Sequence, residues 1–251
     1  MPDSFRQRVL TGEPLLGCFV TWPVAGLLEI LALAALDFVV LDSEHGFFSI
    51  ESIEMMVRAA DSAGLPAVVR VPSCTAAEVG RSLDAGAAGT LFPRADGVAA
   101  VQSAIDLAKF PPEGKRGLGG ARANRYGTIP LDRFVKEANE GTLVAVQIET
   151  SGALADLAAI ARQPPVDILY VGPNDLTQAL RIPGHYADPR YQAELARVAA
   201  SAKEAGKAAG IMLGRAEQIS ALQQIGYTFF TTSDRTLALE AARVWRAALP
   251  H

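Results

Sequence analysis

The chain alternates short β-rich runs with longer segments of helical periodicity, and this alternation repeats eight times over 251 residues. The predicted strands lie near Leu16–Thr21, Phe38–Asp42, Ala67–Val71, Gly89–Phe92, Leu143–Glu149, Ile168–Gly172, Ala208–Leu213 and Thr228–Thr232. The predicted helices lie near Val24–Ala35, Ile50–Ala63, Ala76–Ala85, Gly97–Ala108, Gly152–Ala161, Pro189–Ala205, Ala216–Ile225 and Arg235–Ala248. Apolar strands separated by helices predict a parallel sheet covered on its outer face. Eight such units predict an α/β fold, a single (β/α)8 TIM barrel that forms one domain over residues 1–251.

The main alternative is an open, doubly wound sheet. That fold would require a glycine-rich phosphate-binding turn after the first strand. The segment from Thr21 to Gly26 contains one glycine and does not supply this turn. The sequence therefore favours the closed barrel.

Charge and hydropathy exclude two classes of partner. The formal net charge is −4, and no block of Lys and Arg is present that would neutralise a run of phosphates, so we expect no nucleic-acid binding. The most apolar region, from Val24 to Leu41, is interrupted by Glu29 and Asp37, and we expect no membrane span.

The residues from Met1 to Arg8 lack the apolar core of a secretory signal. Cys18 and Cys74 are far apart and have no metal-binding spacing, which is typical of free thiols rather than of a disulfide framework. From the first of these observations we expect a cytoplasmic protein.

Polar residues follow three of the predicted strands at their carboxyl ends, where barrel enzymes carry their active sites. Asp42 and His45 follow the second strand, Glu149 ends the fifth and Asp175 follows the sixth. Hard oxygen donors on two adjacent strands can hold Mg²⁺ or Mn²⁺ and leave positions for water and substrate, so Glu149 and Asp175 are predicted metal ligands. The alternative is structural, with Glu149 capping a helix and Asp175 stabilising a turn.

Five motifs occur in an order and spacing that are more specific than any one of them. They are Asp42-Ser43-Glu44-His45-Gly46, Arg70-Val71-Pro72, Gly114-Lys115-Arg116-Gly117, Gln147-Ile148-Glu149-Thr150 and Gly172-Pro173-Asn174-Asp175-Leu176. With these motifs the chain resembles the HpcH/HpaI family of metal-dependent 4-hydroxy-2-oxo-acid aldolases from about Leu16 to the Ser233-Asp234 pair.

The resemblance implies a class II aldolase that uses a divalent metal, Mg²⁺, Mn²⁺ or Co²⁺. Such an enzyme reversibly cleaves a 4-hydroxy-2-oxo acid to an aldehyde and pyruvate, or hydroxypyruvate, through an enolate held by the metal. The substrates would be a small 2-oxo acid and an aldehyde. The resemblance also implies a homo-oligomer, a hexamer built as a trimer of dimers.

The resemblance assigns roles to individual residues. It implies that Arg70 contacts the enolate oxygen and that His45 exchanges a proton with the aldol hydroxyl. It also suggests a carboxylate that orients His45, for which Asp84 is our candidate. We assign Asp42 to hydrogen-bond a water on the metal. The alternative for Arg70 is a structural salt bridge to Asp42 or Glu44.

Four further residues are candidates for substrate binding, in addition to Arg70 and Asp175. Gln147 shares a strand face with Glu149, and the backbone amides of Asn174 and Asp175 are candidate donors to a substrate carboxylate. Trp22 and Leu213 are candidate walls of the aldehyde pocket, although such residues near strand ends more often serve packing.

The positions of the lysines argue against imine chemistry, which would require a lysine amine in the barrel mouth. Lys109, Lys115, Lys136, Lys203 and Lys207 all fall in helices or in helix-to-strand connections. This distribution favours a metal-dependent aldolase.

The segment from Phe110 to Ile129 is longer than an ordinary helix-to-strand connection. Because it follows a helix, we expect it to begin at the end of the barrel away from its own active site. Its glycines and arginines then serve a neighbouring subunit or form a plain surface loop, and the resemblance favours the first. The last helix, Arg235–Ala248, packs across the same contact or covers its own barrel.

Two rival functions remain from the sequence. One is a lyase of the same superfamily that acts on a CoA ester, and the other is a catalytically silent barrel that binds a ligand. Retention of both acids, Arg70 and His45 argues against the silent barrel.

Overall fold

The computed structural model describes residues 4–249 and contains a closed barrel of eight parallel strands, each paired with its neighbours in chain order. The strands are β1 (Leu15–Val20), β2 (Phe38–Asp42), β3 (Ala67–Arg70), β4 (Gly89–Phe92), β5 (Leu143–Gln147), β6 (Ile168–Val171), β7 (Ala208–Met212) and β8 (Tyr227–Ser233). β8 pairs with β1 and closes the ring. The predicted (β/α)8 barrel is confirmed. The predicted single domain of residues 1–251 extends beyond the described residues at both ends.

The helices cover the outside of this ring. They are α1 (Phe5–Leu10), α2 (Ala25–Leu33), α3 (Ile50–Ala63), α4 (Ala76–Asp84), α5 (Val98–Ala108), α6 (Leu131–Gly141), α7 (Ser151–Ala155), α8 (Leu157–Ala161), α9 (Pro173–Ala179), α10 (Pro189–Glu204), α11 (Gln218–Ile225) and α12 (Asp234–Ala247). No helix between residues 4 and 249 has the length and apolar character needed to cross a membrane.

All eight strands form where the sequence predicts them, with no end shifted by more than two residues. The predicted helix Gly152–Ala161 is divided at Asp156 into α7 and α8. The Asp156 carboxylate accepts a hydrogen bond from the Val98 amide at the start of α5, which fixes this break against the neighbouring helix. Helices α1, α6 and α9 were not predicted.

Helix α1 closes the amino end of the barrel. Val9 is buried with the inward-facing residues of the strands, and the Phe5 ring lies 5.4 Å from the Phe38 ring. The Arg6 guanidinium bonds the buried Asp167 carboxylate at 2.8 Å and ties the helix to the start of β6. One end of the barrel is therefore filled, and the other end, where the strands finish, remains open to carry a site.

Helix α12 begins at the carboxyl end of β8 but does not cover its own barrel. Asp234 is its only buried residue, and Val244 and Trp245 are 71% and 80% exposed. Leu237, Leu239 and Leu249 add further exposed apolar area. An exposed apolar surface of this kind is unusual on a monomer and is typical of a surface that packs against another protein chain.

The segment between α5 and α6 is folded against the amino end of the barrel, as predicted. The Arg116 guanidinium donates to Asp84 at 2.7 Å, and the Arg122 guanidinium donates to the Ala85 carbonyl at 2.8 Å, both near the end of α4. Asn124 is buried and braces the segment through bonds to Gly119 and Gly127. The segment therefore has a defined shape on the side opposite its own active site.

Candidate active site

The polar groups of the barrel mouth gather at the carboxyl ends of β2, β3, β5 and β6. Beneath them the Phe19 and Tyr170 rings fill the barrel interior, with ring centres 6.1 Å apart. The Tyr170 hydroxyl is hydrogen-bonded to Thr231 at 2.6 Å, so this floor has no open polar group at that point. The site is a polar layer on an apolar support.

Arg70 is held by two carboxylates. Its Nε and Nη2 donate to the two oxygens of Asp42 at 2.9 and 2.7 Å, and its Nη1 lies 3.2 Å from Glu44 Oε2. The guanidinium carbon lies 4.9 Å from the centre of the Phe19 ring. The salt bridge that the sequence allowed as an alternative is thus present, and it fixes the guanidinium in the centre of the mouth.

Asp42 also shapes the turn that follows β2. Its Oδ1 accepts hydrogen bonds from the backbone amides of Glu44 and His45 at 3.2 and 3.1 Å. At Gly46 an added Cβ would collide with the Asp42 carbonyl, so only glycine permits this tight path. The buried Asp42 carboxylate therefore organises Arg70 and the His45 backbone together.

The His45 ring extends into solvent, with its side chain 63% exposed. Its Nε2 lies 3.9 Å from Glu44 Oε2. Burial raises the pKa of the Glu44 carboxyl, and the charges of Arg70 and His45 act in the opposite direction. Within this chain Glu44 is thus a carboxylate near the imidazole, in addition to its ion pair with Arg70.

Glu149 is only 3% exposed and is tightly positioned. Its Oε1 accepts a hydrogen bond from the Arg94 amide at 2.8 Å, and its Oε2 accepts one from Gln147 Nε2 at 2.6 Å. Burial raises the pKa of Glu149 to about 7, and the charges of Asp175 and Glu44 add to this effect. An added Cβ on Gly172, directly after β6, would collide with the Glu149 carboxylate, so a larger residue there would displace this side chain.

Asp175 lies in the first turn of α9 and is exposed at the mouth. The backbone around it is held by the Thr177 hydroxyl, which donates to the Asn174 carbonyl at 2.8 Å, while Tyr186 hydrogen-bonds the Asn174 side chain. Helix α9 therefore presents Asn174 and Asp175 as its first polar residues, beside Glu149 on the adjacent strand.

The residues present fit a divalent cation. Glu149 and Asp175 supply hard oxygen ligands, and a bound cation would offset the burial and the repulsion by Asp175 that together raise the pKa of Glu149. Gln147, whose Nε2 bonds Glu149, has its Oε1 buried without a protein partner among the described residues. No cluster of three or more His, Cys, Asp or Glu side chains suited to a metal occurs between residues 4 and 249. Two protein carboxylates leave the other positions to water and substrate, as Mg²⁺ prefers.

Asp84 does not meet His45 within one chain. It ends α4, which runs from the carboxyl end of β3 back to the amino end of the barrel. There its Oδ1 accepts from Arg116 at 2.7 Å. The predicted pair of Asp84 and His45 is therefore not formed inside a subunit, because the two residues lie at opposite ends of the barrel.

The two predicted pocket walls follow β1 and β7, the two strands that flank β8. Trp22 is 42% exposed after β1. Leu213 is 4% exposed after β7, and its amide donates to the Thr231 carbonyl at 2.7 Å. Leu213 and Asn174 also line an open groove of about 1520 Å³ beside the mouth, between the loop 181–188 and α11. That groove does not contain Arg70 or Glu149, so we place the chemistry in the mouth and not in the groove.

Sequence reasoning did not identify two groups at the mouth. One is the Arg94 amide, which is presented to Glu149 by a residue in the left-handed region, with φ 51°. The other is the start of α12, where the Asp234 carboxylate accepts from the Thr21 amide at 2.6 Å and hydroxyl at 3.0 Å. Arg94 follows the end of β4 and Asp234 follows the end of β8. Their positions after strand ends were the signal in the sequence that could have identified them as part of the mouth.

The fold and the mouth define a (β/α)8-barrel protein with a carboxylate-rich centre suited to a divalent cation. A model of the HpcH/HpaI aldolase/citrate lyase family matches residues 15–238, and the chain belongs to this family.

Individual relatives cover nearly the whole chain. A hydroxypyruvate/pyruvate aldolase of Paraburkholderia phytofirmans is 34% identical, with 97% of this chain and 93% of the relative covered. A 4-hydroxy-2-oxovalerate aldolase of Rhodococcus jostii is 33% identical, with 84% and 81% covered. The crystal structure of an HpcH/HpaI aldolase/citrate lyase family protein from Burkholderia cenocepacia matches with a TM-score of 0.90 at 33% identity, covering 96% of this chain and 97% of that one.

Proposed function

We propose that this protein is a divalent-metal-dependent aldolase that cleaves a 4-hydroxy-2-oxo acid to an aldehyde and pyruvate or hydroxypyruvate. The observation that carries the proposal is the arrangement at one barrel mouth of Glu149 and Asp175 beside a fixed Arg70 and an exposed His45. Membership of the family and the two aldolase relatives support the same reaction class. We expect the enzyme to act in the cytoplasm.

Glu149 and Asp175 would hold Mg²⁺, Mn²⁺ or Co²⁺. When bound, the ion would act as a Lewis acid that stabilises negative charge developing on the 2-oxo oxygen. Gln147 and the Arg94 amide keep the Glu149 carboxylate in one orientation. Asp42 would accept a hydrogen bond from a water at the same site, although both of its oxygens are already shared with Arg70.

Cleavage of the C3–C4 bond of the substrate requires one task of His45 and another of Arg70. His45 takes the proton from the C4 hydroxyl, the C3–C4 bond breaks, and its electron pair passes to C3 and the C2 oxygen as an enolate. The fixed guanidinium of Arg70 stabilises the charge on that oxygen. The aldehyde leaves, a water molecule donates a proton to C3 to complete pyruvate, and the proton held by His45 returns to the solvent hydroxide. The Asn174 and Asp175 amides would bind the carboxylate, and Trp22 and Leu213 would border the aldehyde.

The active unit in this proposal is a homo-oligomer. If Asp84 orients His45, it must do so in a second copy of the chain, because within one subunit the two residues are at opposite ends of the barrel. The exposed apolar face of α12 supports an assembly in which this helix packs on a neighbour. By family resemblance we propose a hexamer formed as a trimer of dimers. Sedimentation of the active enzyme tests this, and a fully active monomer would contradict it.

The direct test of the reaction is a panel assay. Purified protein is incubated with several 4-hydroxy-2-oxo acids and each of Mg²⁺, Mn²⁺ and Co²⁺, and the release of pyruvate or hydroxypyruvate is measured. Metal-dependent release supports the proposal. Cleavage confined to a 3-hydroxyacyl-CoA ester would support the CoA-ester lyase instead, and metal binding without turnover of any substrate would support a silent ligand-binding barrel.

A further inference from the structure

Arg235 places a positive charge on the side of the mouth opposite the metal-ligand candidates. It is the second residue of α12, directly after the end of β8. In the closed barrel β8 neighbours β1, which neighbours β2, whereas Glu149 and Asp175 follow β5 and β6 across the ring. A substrate whose 2-oxo-acid end lies at Glu149 and Asp175 therefore extends its other end towards β8, β1 and β2.

The guanidinium of Arg235 contacts residues that already belong to the mouth. Its Nε donates to the Thr21 hydroxyl at 3.2 Å, and its Nη2 lies 3.4 Å from the His45 carbonyl oxygen. Its central carbon lies 5.9 Å from the centre of the Trp22 ring. These contacts hold the charge beside the histidine that, in the proposed reaction, faces the C4 hydroxyl.

This charge has no carboxylate partner among residues 4–249. No ion pair joins Arg235 to an acid within that range. Its neighbour Asp234 makes no ion pair with the guanidinium and instead accepts hydrogen bonds from Thr21 and from the Arg235 amide. A guanidinium has five N–H donors, and the two described bonds leave the others available to a bidentate anion. Arg70, by contrast, is committed to Asp42 and Glu44.

We propose that Arg235 determines specificity for an aldehyde that carries a carboxylate. In this inference, which rests on the proposed function, the aldehyde chain passes along Trp22 and its terminal carboxylate meets the free donors of Arg235. An uncharged aldehyde of the same length lacks that contact. The preferred 4-hydroxy-2-oxo acid is then a dicarboxylate.

The test compares two acceptors of equal length in the aldol direction, with pyruvate as donor and a saturating divalent metal. Butanal ends in a methyl group and succinate semialdehyde ends in a carboxylate. The measured quantity is the ratio of kcat/KM for succinate semialdehyde to kcat/KM for butanal. Because the ratio compares two acceptors at one site, changes in His45 position or in metal occupancy cancel to first order.

We expect Arg235→Gln to lower this ratio about fivefold, as expected for loss of one exposed charge pair. Arg235→Lys keeps the charge and should retain much of the ratio, and added salt should lower the wild-type ratio towards that of the Gln variant. The matched control is Arg162→Gln, which removes the same charge from an exposed residue after α8, at the amino end of the barrel. It should leave the ratio unchanged.

Two results would overturn the inference. One is an Arg235→Gln ratio equal to that of wild type, and the other is an equal loss with both acceptors, which would make Arg235 a brace for the β1 and β2 loops only. Failure of the wild-type enzyme to use either acceptor with any metal would instead refute the proposed aldolase function. The butanal reaction of wild type therefore separates the two failures.

Discussion

Replacement of Glu149 by Gln tests the electrostatics of the mouth without changing its shape. The carboxylate is 3% exposed and lies near the charges of Asp175 and Glu44. A Gln side chain can accept the Arg94 hydrogen bond as Glu149 does. The new amide nitrogen at position 149 is a donor, whereas Glu149 Oε2 accepts from Gln147. Gln147 can turn its amide so that its own Oε1, which lacks a protein partner among residues 4–249, accepts from this nitrogen. The variant therefore removes the charge and retains the packing.

The expected magnitude follows from the pKa of Glu149, which burial raises from the ordinary 4.5 to about 7. The unfolded carboxyl loses its proton near pH 4.5, and the folded one keeps it to about pH 7. The protonated Glu149 carboxyl thus contributes to the free energy of unfolding. This contribution is complete below the pKa of the unfolded state and is lost as pH rises through the pKa of the folded state. Between pH 5 and 8 the metal-free wild type should lose roughly 2–3 kcal/mol of stability relative to Glu149→Gln.

The assay is urea unfolding with a chelator present, at pH 5 and pH 8 and at one protein concentration, so that subunit association affects both proteins alike. The control is Glu29→Gln, which removes an exposed carboxylate from α2. Saturating Mg²⁺ should then stabilise wild type at pH 8 and have little effect on the Glu149 variant. Parallel pH profiles for wild type and Glu149→Gln, or equal stabilisation of both by Mg²⁺, would refute the reasoning.

Three further predictions concern the proposed catalytic groups. Arg70→Ala should lower the unfolding free energy by about 3–5 kcal/mol, since Asp42 stays buried without its partner. The same variant should lower kcat by about 100-fold or more. Arg70→Lys should recover only part of the lost stability and only part of the lost kcat. Normal kcat in the folded fraction of Arg70→Ala would make the residue structural. His45→Ala should slow carbon–carbon cleavage more than exchange of the pyruvate methyl protons, followed by NMR, and equal losses would assign the imidazole to a shared step. Mixing Asp84→Asn subunits with His45→Ala subunits should restore activity, because some sites then combine an intact His45 with an intact Asp84 of another copy; mixed oligomers without activity would argue against that pair.

The barrel could be predicted from sequence because its strands are apolar on both faces and each is followed by a helix. The missed helices lack this signal. Helix α1 is only six residues long and is stabilised by Val9 inside the barrel end. Helix α9 directly follows β6 and begins with Pro173, so its residues resemble a turn. Helix α6 follows the long connection, and its apolar positions are few, with Phe134 the main buried one.

The site was predictable where chemistry is carried by side chains at strand ends, as at Glu149 and Arg70. It was not predictable where the contact belongs to the backbone, as with the Arg94 amide on Glu149. The location of Asp84 away from its own mouth could be predicted, because Asp84 lies at the end of the helix that follows β3 and such a helix ends at the amino end of the barrel. Sequence order does not show whether a second copy of the chain brings Asp84 to His45. The double pairing of Arg70 with Asp42 and Glu44 shows that a structural ion pair and a proposed catalytic role coincide in one side chain.

Metal dependence is the most direct test of the whole account. Protein treated with a chelator and then freed of it is assayed for pyruvate release from a 4-hydroxy-2-oxo acid, before and after addition of Mg²⁺, Mn²⁺ or Co²⁺. We predict no activity before the addition and recovery after it, with no lysine adduct when pyruvate and borohydride are added. The one fully buried lysine between residues 4 and 249, Lys109, donates to the Asn139 and Thr142 carbonyls, away from the mouth. Full activity of the metal-free protein, or a pyruvate–lysine adduct, would contradict the account.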